Sequence, residues 1–192
     1  YEPFTVEEIL EADDNAERVK YRLSVNELIL DGLDIQDLKT LEQIITMFPN
    51  IDSLSIQSLR ITTLPSNIST LKKLKQIWAS EGMIDSIPPE IGDCVNLEEL
   101  FLAGNKLTSL PSEICNLVKL KKLYVDWNDL RSIPLCILEL PQLYHLNISN
   151  NPNLVLEKPD ALTLKRLSKN LHPFVFESVM KAMRNSSDLR RF

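Results

Sequence analysis

LEELFLAGNKLTSLPSEICNL, residues 97–117, decides how the whole chain is read. Leu97, Leu100, Leu102, Asn105 and Leu107 fall at the spacing L-x-x-L-x-L-x-x-N-x-L, and Leu110-Pro111 follow, then Ile114 and Leu117. The first half alternates, as a short strand with one buried face does. In the second half a proline precedes apolar residues spaced by three. Proline holds φ and withholds a ladder donor, so this half suits turns or short 3₁₀ segments on the opposite side. Phe101 occupies the variable position between two leucines, on the face pointing away from the core.

Copies of the unit lie on both sides of it. The first anchors are Val25, Ile51, Leu74, Leu97, Leu120 and Leu143, with a first interval of 26 residues and later ones of 23. Second anchors are Leu28, Leu54, Ile77, Leu100, Leu123 and Leu146; third anchors are Leu30, Ile56, Ala79, Leu102, Val125 and Ile148. The pattern predicts strands of five or six residues, stacked in parallel, with alternate positions facing the core or a concave surface. Asn105, Asn128 and Asn151 hold the turn after the last three strands, where a carboxamide can satisfy backbone groups of neighbouring turns. Leu33, Leu59 and Gly82 hold that place in the first three, so different packing and fewer satisfied groups are expected there. Leu64-Pro65, Ile87-Pro88, Leu110-Pro111 and Ile133-Pro134 share one register on the return path. The first return path is longer: Leu38, Leu41, Ile44, Ile45 and Phe48 have helical spacing and predict a true helix over 37–48.

The ends break the pattern. A stacked array needs a lid wherever a repeat lacks a neighbour. Residues 1–24 read as an N-terminal helical cap: Thr5 and Glu8 have capping-box spacing ahead of a short helix from Val6, and a second segment follows from Ala16. Residues 157–192 read as a C-terminal helical cap, with one helix from Asp160 to Asn170 and another from Phe174 to Met183 carrying Phe176, Val179, Met180 and Met183 on one side. The expected fold is an α/β solenoid of about six repeats over 25–156, with a parallel concave sheet.

LPSNISTLKKLKQI (64–77), IPPEIGDCVNLEELFLAGNKLTSL (87–110) and LPSEICNLVKLKKLYVDWNDLRSI (110–133) resemble the intracellular 23-residue leucine-rich repeat family. Ras-suppressor-like and plant intracellular Ras-group proteins are similar. The resemblance covers about 25–156 and implies a curved solenoid that binds another protein on its concave face, with no chemistry of its own. Helical caps without cysteines are also similar to those of bacterial effectors that carry eukaryotic-type repeats and act in the host cytoplasm. The alternative function is therefore the substrate-recognition domain of a larger enzyme or of such an effector.

Composition narrows the partner. Of 192 residues, 44% are hydrophobic and 25% charged, as in a folded domain. A net charge of −6 disfavours nucleic acid, which needs a basic footprint. Cys94, Cys115 and Cys136 are odd in number with no close pair, which argues against disulfides and structural zinc and for buried thiols in a reducing, cytoplasmic setting. No apolar run of about 18 residues predicts a membrane span, and no leader pattern is visible. Nucleotide-binding, zinc-protease and hydrolase-elbow motifs are absent. His145 and His172 are the candidate bases, but the register puts the cysteines on the return side and His145 on the sheet, so no Cys–His pair is expected. No catalytic residue, metal, cofactor or small-molecule substrate is expected. Three glycosylation sequons, at Asn67, Asn147 and Asn185, read as chance matches.

The candidate site is the outward face. Its central position reads Ile29, Ser55, Trp78, Phe101, Tyr124, Asn147, which places three aromatics on adjacent strands about 4.8 Å apart. Trp127, Tyr144 and His145 extend the patch, and Glu99 and Asp126 add charge. Aromatics at the centre of a surface are the usual anchors of a protein interface. The competing reading is a ladder that only stabilises the sheet. Lys75, Glu98, Glu99, Lys121 and Lys122 alternate in sign between strands, which predicts cross-strand ion pairs.

Overall fold

Alternation in each repeat yields one three-residue strand: β1 (Glu27–Ile29), β2 (Ser53–Ser55), β3 (Gln76–Trp78), β4 (Glu99–Phe101), β5 (Lys122–Tyr124) and β6 (His145–Asn147). The computed structural model describes residues 26–156 and 172–189. All six strands lie in one parallel sheet in chain order. The middle residues, Leu28, Leu54, Ile77, Leu100, Leu123 and Leu146, are at most 3% exposed, so the flanking residues of every strand face outward. The regular strands are shorter than the alternation suggests. Beyond them the ladder continues through single bonds from the Leu30, Ile56, Ala79, Leu102 and Val125 amides to the next strand.

The chain then turns at a left-handed residue. Gly32, Ser58, Glu81, Gly104, Trp127 and Asn150 occupy one register position, and all have φ between 53° and 67°. After that turn, three asparagines tie neighbouring repeats together. Nδ2 of Asn105, Asn128 and Asn151 donates to the carbonyls of Ala79, Leu102 and Val125 at 2.8, 2.9 and 3.0 Å, and again to carbonyls of its own turn. Each Oδ1 accepts from an amide of the preceding repeat: Ile84, Leu107 and Leu130. The N-terminal turns are indeed packed differently, but other groups serve them. Asn105 reaches back into the third repeat, where a Cβ on Gly82 would lie 2.9 Å from its Oδ1. In the first repeat the Asp31 carboxylate accepts from the Ser55 hydroxyl and from the Gln57 amide at 2.7 Å.

The return side is built as expected. Four 3₁₀ segments, Ser66–Thr70, Pro89–Asp93, Ser112–Asn116 and Leu135–Glu139, each follow a proline. Ile68, Ile91, Ile114 and Ile137 point from them into the core and are fully buried. The longer first repeat forms a true helix, α1 (Leu38–Met47). Its cap, Asp37, accepts from the Thr40 amide and hydroxyl, and these bonds hold its carboxyl below the ordinary value. Asn67 donates to the Glu42 carbonyl and the Thr46 hydroxyl of α1, so that sequon asparagine serves the fold.

The expected N-terminal cap and the helix from Asp160 to Asn170 lie outside the described residues. The last expected helix is present as α2 (Pro173–Leu189), six residues longer at its C-terminal end than the apolar pattern indicates. Val175, Val179 and Met183 are buried, with Phe176 and Met180 packed at the margin. No helix of the described residues is long and apolar enough to cross a membrane.

One expectation is corrected. Cys115 and Cys136 form a disulfide, with Cα atoms 5.8 Å apart, and only Cys94 is a free, buried thiol. They are 21 residues apart, close to the repeat length. Stacking of consecutive 3₁₀ segments therefore brings them side by side, although no local spacing announces a pair. Burial pushes the Cys94 thiol up to about 11, and its Sγ donates to the Ile68 carbonyl.

Replacing Asn128→Ala strips partners from buried backbone groups and is expected to lower stability by about 3 kcal/mol in urea titration. Reducing the disulfide reopens a loop of 21 residues and is expected to lower stability by about 3 kcal/mol; a Cys115→Ser/Cys136→Ser variant should then be insensitive to reductant. The Cys94 thiol, neutral in the folded state, contributes stability that is intact below its ordinary value of 9.0 and is lost as pH rises through about 11. A Cys94→Ala variant should lack that alkaline decline in urea midpoints.

Candidate functional site

Parallel register places residues of like position directly beside one another. Trp78 pairs with Phe101 and Phe101 with Tyr124 at the ends of β3, β4 and β5. Strands spaced about 4.8 Å apart hold flat rings at stacking distance. The rings do stack: Trp78 on Phe101 with centroids 3.9 Å apart, Phe101 on Tyr124 at 4.9 Å. At β6 the register residue is Asn147, and the column bends. The next ring is His145, two residues earlier on the same face, 4.9 Å from Tyr124 and inclined by 17°.

Beyond β6 the column is taken up by the start of α2. Phe174 lies 6.4 Å from His145, and His172 stacks on Phe174 at 5.4 Å while meeting the edge of Tyr144 at 5.9 Å. Phe174 is 61% exposed. Sequence reading assigned His172 and Phe174 to the cap and missed this continuation. The only clue was that Phe174 lies outside the apolar stripe of Val175, Val179 and Met183.

Ion pairs line the column on the side where the strands begin. Lys75 pairs with Asp52 at 3.1 Å, Lys121 with Glu98 at 2.6 Å and Lys122 with Glu99 at 2.9 Å, each reaching back one repeat. The hydrogen bonds that Lys121 and Lys122 donate to Glu98 and Glu99 raise the two ammonium values. Pairs this exposed contribute little to stability, but they hold six side chains in place. Glu99 is thus committed to Lys122, with only 16% of its side chain exposed.

The turn side of the column is acidic. Asp31, Glu81 and Asp126 follow their strands there. Desolvation raises the Asp126 carboxyl, and the Glu81 charge adds to the rise. Trp127, next in the chain, is 65% exposed and stands outside the ring stack formed by the described residues. The expected site thus divides: Trp78, Phe101, Tyr124 and His145 share one column, Tyr144 meets it through His172, and Asp126 and Trp127 form a separate edge at the turn. Cys94, Cys115 and Cys136 all lie on the 3₁₀ side, away from His145 on the sheet.

Comparison with known proteins agrees with the repeat fold. The family model described as Leucine Rich Repeat matches residues 96–117. Among solved structures, the chain is similar to a leucine-rich repeat protein of Leptospira interrogans, with TM-score 0.60 and 29% identity over 72% of this chain and 34% of that one. It is similar to the leucine-rich repeat domain of the type III effector XopL, with TM-score 0.60 and 24% identity over 71% of this chain and 49% of that one. The PEPR1–AtPEP1 structure gives TM-score 0.57 and 30% identity over 69% of this chain and 19% of that one. This chain spans less than half the length of each of these proteins. No curated protein sequence matches it. Repeat, sheet and turn together define a leucine-rich repeat solenoid, a fold that generally mediates protein–protein interaction.

Proposed function

We propose that this chain is a non-catalytic scaffold that takes a protein partner on its concave sheet, anchored on the column Trp78, Phe101, Tyr124 and His145. The observation that carries this reading is the continuity of the column. Four rings from four strands present one half-exposed aromatic strip, and the exposed Phe174 prolongs it. Cross-strand aromatic pairs stabilise a sheet by about 0.2–1 kcal/mol each, a modest return for leaving so much apolar surface in water. A partner that covers the strip recovers that surface. The lysines beside it are already neutralised by Asp52, Glu98 and Glu99, whereas Asp31, Glu81 and Asp126 have no lysine or arginine partner among the described residues. A basic rim on the partner complements them.

A recognition domain of a larger enzyme or effector would use the same face, with its chemistry elsewhere; the partial coverage of the bacterial relatives favours keeping this second reading. The cytosolic expectation rested on three unpaired thiols. With Cys115 and Cys136 joined, that support is gone, since disulfides persist in oxidising compartments.

A Trp78→Ala/Tyr124→Ala variant should lose at least tenfold in recovery of a crosslinked partner while its Tm falls by no more than about 4 °C. Undiminished recovery with a large fall in Tm would establish the ladder reading instead.

A further inference from the structure

Trp127 sits where Gly32, Ser58, Glu81, Gly104 and Asn150 sit in other repeats, at φ 53°. Left-handed backbone costs a residue with a side chain about 1–2 kcal/mol, and a ring that is 65% exposed recovers little of that through packing. The indole borders a cavity of about 770 Å³ between the turns of the last two repeats and α2. That volume is in the range of small-molecule sites, about 300–1,000 Å³.

The other walls are largely apolar, with Ile148 and Leu154 among them, and polar groups are supplied by Asp129, Asn147, Asn150, Ser178 and Lys181. Among the described residues, the side chains of Asp129, Asn150, Ser178 and Lys181 make no hydrogen bond or ion pair. Asn147 uses only Oδ1, which accepts from the Ser149 amide and hydroxyl, so its Nδ2 remains a free donor. The free groups include one carboxylate, one ammonium, amides and a hydroxyl. An anion would face Asp129 and a cation would face Lys181. An apolar ligand would leave all of them without partners, at a cost of about 1–3 kcal/mol for each group buried.

A neutral ligand whose groups both donate and accept, and which has one flat C–H face for the indole, meets every one of these conditions. We propose that the cavity binds a short neutral oligosaccharide. One pyranose ring lies against Trp127, and its hydroxyls bridge Asn147, Asn150 and Ser178 and reach Asp129 and Lys181. The site is independent of the aromatic column, and it departs from the expectation of no small-molecule ligand.

Isothermal titration calorimetry of the whole chain with chitotriose, cellotriose and maltotriose tests this. A peptide ending in a free carboxylate, the other ligand Lys181 could hold, serves as the contrasting arm. The expected result is saturable binding of at least one trisaccharide with Kd below about 1 mM, weakened at least tenfold by Trp127→Gly and unchanged by Trp78→Ala. Glycine is the residue at this turn in two other repeats, so Trp127→Gly keeps the fold, with Tm unchanged or higher as the control. The proposal is overturned if no trisaccharide gives a saturable heat up to about 10 mM. Equal affinity in the Trp127→Gly variant, or a Trp127-dependent affinity for the peptide alone, overturns it too.

Discussion

A repeat of 23 residues cannot bury its own leucines. Each unit offers one apolar edge and gains a core only from the units above and below. Equal repeat length is therefore the constraint on which the structure depends. It sets Leu54 beside Ile77, Ile77 beside Leu100 and Leu100 beside Leu123. It also spaces the strands at the separation at which flat rings stack. The core on one face and the aromatic column on the other thus have one cause. An insertion between strands would move both at once.

The turns show how tightly the period is held. A left-handed residue in every repeat aims the chain away from the sheet, and a buried asparagine in three of them joins carbonyls and an amide of adjacent repeats. Where asparagine is missing, the load passes to whatever is nearest. Asp31 takes it up at the start of the array, where it accepts from the Gln57 amide, while Asn105 serves the turn before its own as Asn128 and Asn151 do. A Cβ on Gly82 would lie 2.9 Å from Asn105 Oδ1, so the carboxamide packs closely over this glycine. On the return side the same stacking brings Cys115 beside Cys136 and so joins two neighbouring 3₁₀ segments covalently.

The outer surface is divided in the same way. Ion pairs occupy the stripe where strands begin, rings the stripe where they end, and carboxylates with Trp127 the turns beyond. The paired charges keep their long side chains ordered without adding much stability, and so leave the rings as the part of the face with most to gain from being covered. The C-terminal helix contributes to both candidate sites, through Phe174 to the column and through Ser178 and Lys181 to the cavity.

The sequence by itself determined the period, the strands, the 3₁₀ return path, the helix of the first repeat and the placing of Trp78, Phe101 and Tyr124 on adjacent strands. Those features follow from spacing along one chain, and spacing is what a sequence records. Its cysteine spacing pointed away from the disulfide that forms, and it left open the left-handed backbone at Trp127, the bend of the column from Tyr124 to His145, and its continuation into His172 and Phe174. The disulfide and the step from Tyr124 to His145 each join residues 21 apart, a diagonal across stacked repeats, and the continuation depends on a helix laid over the last strand. Only the tertiary structure decided them, because the register that predicts neighbours within the array stops at its edge.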